Sequence, residues 1–328
     1  MPSDLRIGNS ILSVRDTYCI ESGSCFEAIP GLEYIRKENP RLWLYVHITD
    51  RCNAGCPFCV NGGNNSLSPV VDPDAFAKAL EMVEPFVYGI SFTGGEPLLY
   101  PELLDELVGI TDRIVSPDVE IDTTTNGTSF DKLVSLRHFD RIFSVHISRH
   151  LVRQEENNAL MKHRGIPDNE LKAIMKGMKD PGKLVFNCVL HKGGVETCSD
   201  VASYLDNSIS VGIRNNSFIT MFRANDFCRE NYVSPYDFPV ISDSECEKWN
   251  AEHPDAHFTV WNRHSDHEFC HCLSGHYENP YGNTRFYFRC PGENRPKSLC
   301  RQLLYTSDNK LQDGFGNDCT VLWDGSER

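Results

Sequence analysis

From residue 42 to about residue 213, short apolar runs alternate with amphipathic stretches. The β-forming run LWLYVHIT starts at Leu42 and stops before Asp50, and a cysteine-rich loop follows at once. Phe76, Leu80, Val83 and Phe86 recur at helical spacing behind Pro73, which predicts a helix over about 73–86. A second strand is expected over 88–93, ending in Gly94-Gly95. The alternation continues with a helix near 101–112, a strand near 118–124, a helix near 129–137 and a strand at 141–147. After a long connection come a helix at about 167–178, a strand at 183–190, a helix near 196–205 and a last strand near 209–213. Six strands with helices between them predict an α/β fold with a parallel sheet, right-handed crossovers and active residues at the carboxyl ends of the strands.

The pattern divides the chain into an N-terminal extension (1–40), an alternating domain (41–225) and a C-terminal extension (226–328). In the last of these, His, Cys, Asn and Tyr occur at irregular spacing. Lys and Arg number 32 against 46 Asp and Glu, a formal charge of −14 that argues against a grip on long nucleic acid by phosphate neutralisation. No apolar run reaches membrane-spanning length, and the start MPSDLRIGNS lacks a basic segment followed by an apolar one. The expectation is a cytoplasmic globular protein without membrane contact. In that reducing compartment, 14 cysteines point to metal or redox chemistry instead of structural disulfides.

Cys52, Cys56 and Cys59 stand as C-x3-C-x2-C in TDRCNAGCPFCVNGG, where Gly55 and Pro57 tighten the loop. Three thiolates on one short loop suit three irons of a [4Fe–4S] cube and leave the fourth iron open to another ligand. The alternative is zinc, which is usually held by four ligands in paired C-x2-C units. Downstream, Thr93-Gly94-Gly95-Glu96-Pro97 follows the second strand, and Thr123-Thr124-Thr125-Asn126-Gly127 ends the third. Alone, the first reads as a turn before a helix and the second as a helix cap. Glycines also permit close backbone approach, and a carboxylate complements a cation.

Together these motifs resemble the radical S-adenosylmethionine (SAM) superfamily over about residues 42–225. The resemblance implies a partial (β/α)6 TIM barrel, with a [4Fe–4S] cluster on Cys52, Cys56 and Cys59 and SAM as cofactors. Gly94, Gly95 and Glu96 match the GGEP motif that receives the SAM ammonium. Thr125 and Asn126 match a pocket-lining element, and Phe58 the aromatic that covers the adenine. Asn187 matches an asparagine that approaches the ribose. Ser148 ends the fourth strand where relatives carry Ser, and Arg149, which replaces a small residue, is a candidate partner of the SAM carboxylate or a substrate anion. In that family an electron donor such as flavodoxin or ferredoxin supplies the reducing electron.

Cys270, Cys272, Cys290 and Cys300 crowd the tail, and Tyr281-Gly282-Asn283 predicts a hairpin that returns Cys290 towards Cys270 and Cys272. This small irregular Cys-rich extension is similar to the twitch or SPASM extensions that carry a second [4Fe–4S] cluster. A zinc site and free thiols remain alternatives. The favoured function is a radical SAM enzyme acting on a small-molecule or nucleoside-like substrate, with no catalytic residue on the substrate side assigned. Peptide or protein modification, and a non-catalytic iron–sulfur or zinc-binding module, are the alternatives.

Overall fold

The computed structural model describes residues 4–7, 10–13, 42–60, 69–234, 243–263, 273–289, 302–315 and 319–326. The six-strand alternation is present as β3 (Leu42–Thr49), α1 (Pro73–Val83), β4 (Val87–Gly94), α2 (Pro101–Ile114), β5 (Glu120–Thr125), α3 (Phe130–Val134) and β6 (Ser144–Ser148). It goes on through α4 (Gln154–Met161), α5 (Asp168–Gly177), β7 (Leu184–Leu190), α6 (Cys198–Val211) and β8 (Asn215–Thr220). A separate hairpin, β1 (Asp4–Ile7) with β2 (Ser10–Ser13), precedes them. Strands β3 to β8 are neighbours in chain order and parallel throughout, the arrangement of a partial barrel.

Local chemistry explains the element ends. Asp72 caps α1 by accepting from Ala75 N at 2.9 Å, with Pro73 in the first turn, and Phe76, Ala79, Leu80 and Val83 form its buried face. Each such fully buried large side chain contributes about 1.5–3 kcal/mol. Thr197 and Asp200 form a capping box at the start of α6, and Gly212 at φ 102° ends that helix. This corrects the last predicted strand: residues 209–211 are helical, and the strand is Asn215–Thr220. Its polar residues Asn215, Asn216 and Ser217 conceal it from a hydrophobicity pattern. The long connection before α5 contains α4, which was not expected.

The C-terminal segment is more regular than its sequence suggests. Helices α7 (Asp226–Glu230) and α8 (Asp243–Glu252) precede β9 (His257–Arg263), β10 (Leu273–Asn279) and β11 (Gly282–Arg289). Then follow β12 (Gln302–Tyr305), β13 (Lys310–Gln312) and β14 (Val321–Asp324). Strand β11 pairs parallel with β8, and β12 pairs parallel with β3, so the tail extends the barrel sheet at both edges.

Alternate residues of the barrel strands face the helices and the lumen. The helix-facing set is apolar: Phe92 meets Phe76, and Phe218 meets Tyr204. In many barrels the lumen is filled with Val, Ile and Leu. Here the opposite face carries Ser91, Asp122, Ser144, His146, Ser148, Asn187, Asn215 and Ser217. Burial pushes Asp122 up to about 7, against a hydrogen bond from Ser91 and the charge of Arg289 and with the charge of Glu120. Burial, helped by Arg289, lowers His146 to about 3, so this imidazole is neutral at physiological pH.

Asp122 is therefore a pH-dependent cost to folding. The folded protein holds this proton where the unfolded chain releases it, so the stability it contributes is complete below about pH 4 and is lost as pH rises to about 7. His146 has the reverse sense: its penalty sets in as pH falls below about 6.5. Asp122→Asn is expected to become more stable than wild type with rising pH, by up to roughly 4 kcal/mol at pH 8. Chemical denaturation at pH 5 and pH 8 checks this, and a difference that does not grow with pH would refute it.

Candidate cofactor site

The candidate residues meet at the carboxyl ends of the strands. The cysteine loop leaves β3, and the segment after β4 is packed flat against its first residues. Gly95 N donates to Thr49 O at 2.6 Å, and Glu96 N donates to Arg51 O at 2.8 Å. Gly94 takes φ 121°, where a Cβ would lie 2.3 Å from Thr49 O. These glycines let one strand end close upon the next.

Glu96 is only 1 % exposed and joins three segments. Its Oε1 accepts from Leu98 N at 3.0 Å and Thr125 Oγ1 at 2.7 Å, and its Oε2 accepts from Asn126 N at 2.7 Å. Burial raises this carboxyl to about 7 in spite of those three donors. Asn126 passes the link on. Its Nδ2 donates to Asn53 Oδ1 at 2.7 Å and approaches Cys52 Sγ at 3.9 Å, and its Oδ1 accepts from Thr128 N at 3.0 Å.

Cys52, Cys56 and Cys59 are half-buried free thiols. Ala54 N donates to Cys52 Sγ at 3.3 Å, and Cys59 N to Cys56 O at 3.2 Å. Burial, then the neighbouring Cys59 and Cys52, pushes the Cys56 thiol up to about 12. Among the described residues no three His, Cys, Asp or Glu side chains converge at single-ion distance. N–H groups aimed at the Cys52 sulfur suit an iron–sulfur cluster. The loop is held independently of any metal. Gly55 N donates to Met161 O at 2.8 Å, Asn225 Nδ2 to Pro57 O at 3.0 Å, and Cys228 Sγ to Phe58 O at 3.7 Å.

The other candidates are placed as follows. Phe58 packs edge-on against His150, with ring centroids 4.7 Å apart, and lies within 6.4 Å of both His191 and Phe227. Ser148, the last residue of β6, is the register partner of Asn187 in the middle of β7. Asn187 Oδ1 is a buried acceptor without a protein partner, which fits a ligand hydroxyl at this end of the barrel. The Arg149 guanidinium donates instead to Leu151 O, Val152 O and both Asp168 oxygens, so the structure engages it in holding the loop after β6. Cys270, Cys272, Cys290 and Cys300 lie outside the described residues. The predicted hairpin is present as β10 and β11, which pair Leu273 with Phe288.

Sequence reasoning missed Asn53, Asn225 and His150. Val189 N donates to His150 Nδ1 at 3.1 Å, and burial followed by His191 lowers this imidazole to about 3. Asn53 occupies an unspecified position between Cys52 and Cys56, and only the packing of distant segments brings Asn225 and His150 to the loop.

The description "Radical SAM superfamily" matches residues 46–197, the stretch that carries both the cysteine loop and the Glu96 junction. Residues 46–197 form a radical SAM domain. A [4Fe–4S] cluster and SAM are the cofactors of this superfamily. The chain resembles a probable GTP 3',8-cyclase of Methanosarcina acetivorans, 29 % identical over 163 residues, or 46 % of each chain. It also resembles a GTP 3',8-cyclase of Aliarcobacter butzleri, 27 % identical over 56 % of this chain and 57 % of that protein. The chain thus spans about half the length of these curated relatives. In fold it resembles Streptococcus suis SuiB bound to S-adenosylmethionine. That likeness has a TM-score of 0.54 and 16 % identity over 88 % of this chain and 64 % of SuiB. Among the described residues no helix is long and apolar enough to cross a membrane.

Proposed function

We propose that the chain is a radical SAM enzyme acting on a small-molecule or nucleoside-like substrate. Cys52, Cys56 and Cys59 would hold the [4Fe–4S] cluster, and Gly94, Gly95, Phe58, Ser148 and Asn187 would frame SAM. When bound, the cluster supplies one electron to the SAM sulfonium, releasing methionine and a 5'-deoxyadenosyl radical that takes hydrogen from the substrate. The observation that carries this reading is the hydrogen-bonded chain from Glu96 through Asn126 to Cys52. It couples the cofactor-binding strand ends to a cluster ligand, and a passive cluster carrier has no need of it. Glu96 orients the two strand ends, Asn126 directs N–H groups towards Cys52 and Asn53, and Phe58 provides an apolar wall beside His150. The nucleoside-like substrate is supported by the name of the cyclase relatives. An electron donor such as flavodoxin or ferredoxin is the partner this chemistry requires.

Anaerobically reconstituted protein given SAM and a strong reductant should release 5'-deoxyadenosine and methionine in equal amounts. No cleavage above the rate without protein would end the proposal. A second cluster on Cys270, Cys272, Cys290 and Cys300 belongs to the same reading, supported by the hairpin whose register pairs Leu273 with Phe288. It predicts about eight irons per chain instead of about four, and a fall by about four in Cys290→Ala. Unchanged iron content in that variant would favour free thiols.

A further inference from the structure

The chain has a formal charge of −14, yet the surface beside the cysteine loop is locally basic. An open recess of about 690 Å³ lies past the carboxyl ends of β7 and β8, and its charged lining residues are Lys192, Arg223, Arg229 and Glu196. The three cations are exposed. The Arg223 guanidinium lies 4.3 Å from the centroid of the Tyr232 ring, a contact that uses its face and leaves its N–H edge for a carboxylate. Among the described residues neither Lys192 nor Arg223 has a carboxylate partner, whereas Arg229 pairs with Asp226. Glu196 is engaged by Gly193 N at 3.1 Å.

The segment that supplies these cations also holds the cysteine loop. Asn225, two residues after Arg223, donates to Pro57 O at 3.0 Å, and Cys228, next to Arg229, donates through its thiol to Phe58 O at 3.7 Å. Pro57 and Phe58 are the two residues between Cys56 and Cys59. Between these anchors, the Phe227 ring lies 6.4 Å from that of Phe58. Lys192 N donates to Asn231 O at 3.0 Å, so the loop after β7 belongs to the same unit. A body resting on the cations is therefore separated from Cys56 and Cys59 by α7 and the two residues it holds.

Positive charge answers either a small anion or an acidic protein, and the surface favours the protein. A small-molecule site encloses its ligand with a few convergent polar groups. Here the three cations are exposed, and none of the lining residues has a buried polar atom in want of a partner. Phe222, which precedes Arg223, is 42 % exposed and adds an apolar contact beside the charges, as in a protein interface. A chain of charge −14 repels an acidic protein over most of its surface, so a local basic patch dictates the orientation in which one arrives. We propose that Lys192, Phe222, Arg223 and Arg229 form the docking surface for an acidic one-electron carrier protein, which reduces the cluster from the α7 side of the cysteine loop. The carrier is oxidised by one electron and the cluster reduced by one, and no bond is made or broken. The inference rests on the radical SAM reading above and adds the place at which that enzyme's partner binds.

The test is calorimetric titration of reconstituted full-length protein with oxidised flavodoxin and, separately, oxidised ferredoxin. At least one carrier should bind, and Lys192→Glu combined with Arg223→Glu should weaken it by about tenfold or more. Lys176→Glu combined with Lys179→Glu makes the same change of charge near the amino end of β7 and should weaken it less than about twofold. All four side chains are exposed, and a thermal melt checks that both double variants fold. With reduced methyl viologen, a small cation that needs no docking surface, the Lys192/Arg223 variant should cleave SAM within about twofold of the wild-type rate, whereas its KM for the reduced carrier should rise about tenfold or more. The proposal is overturned if neither carrier binds at millimolar concentration, if the Lys192/Arg223 variant binds like wild type, or if the Lys176/Lys179 variant binds as weakly. Equal impairment with viologen and with the carrier would make the recess a small-anion site and overturn it too. Carrier binding needs no turnover, so its failure leaves the 5'-deoxyadenosine test standing, and the converse holds.

Discussion

Cys56→Ala is expected to lose its iron, from about four per chain at this site to fewer than one after the same reconstitution, and to release no 5'-deoxyadenosine above background. The cube needs three protein thiolates, and the other half-buried thiols of the described chain stand on other elements, so none replaces Cys56 on its loop. The fold should survive. The loop is tied by Gly55 to Met161, by Asn225 to Pro57 and by Asn126 to Asn53, and none of these bonds uses the Cys56 thiol. Cys188→Ala is the matched control. Cys188 is fully buried on β7 with its thiol directed at His150 O, so its loss should cost about 1 kcal/mol of stability and no iron. Elemental analysis and SAM-cleavage assays on both variants check the pair. Retention of four irons or of SAM cleavage by Cys56→Ala would remove the cluster from this loop.

Much of the barrel was readable because β3, β4 and β7 are runs of β-formers bounded by turn residues, and their order alone implies parallel pairing. Strand β8 escaped that reading because its lumen face is Asn215, Ser217 and Ile219, and the helix before it runs six residues beyond the expected end to its Gly212 cap. The flanking strands escaped it for another reason. Gln302 pairs with Trp43 and Arg285 with Asn215, and contacts across such distances leave no local periodicity. The site divides in the same way. Cys52, Cys56, Cys59 and the Gly94-Gly95-Glu96 run are contiguous motifs and could be named from spacing. The engagement of Arg149 by Asp168, the unpaired Asp122 oxygen and the reach of Arg289 exist only after the sheet has curled. The polar lumen was visible as alternation in EIDTTT, SVHIS and NNSFIT, but alternation alone does not say whether the polar face meets solvent or a ligand.

The junction between the strand ends should be the most sterically exacting part of the molecule, and Gly95→Ala measures it. A Cβ at Gly95 would lie 1.9 Å from Arg51 O and 2.4 Å from the Arg51 carbonyl carbon, both backbone atoms with no rotamer to escape into. Relief requires the β4 end to move away from the residue that immediately precedes Cys52. That shift breaks the bonds from Gly95 N to Thr49 O and from Glu96 N to Arg51 O. Overpacking of about 1–3 kcal/mol and two lost hydrogen bonds of about 1 kcal/mol each give an expected destabilisation of about 3–5 kcal/mol. Since Glu96 also holds Asn126, the N–H groups aimed at Cys52 should be misplaced too, and iron retention should fall along with the melting temperature. Gly177→Ala gives the comparison, because a Cβ there meets nothing within 4 Å and the residue lies in α5. That change should stabilise by about 0.5–1 kcal/mol and leave iron untouched. If Gly95→Ala instead melts and binds iron like Gly177→Ala, the close contact between the GGEP segment and the cysteine loop is not what positions the cluster ligands.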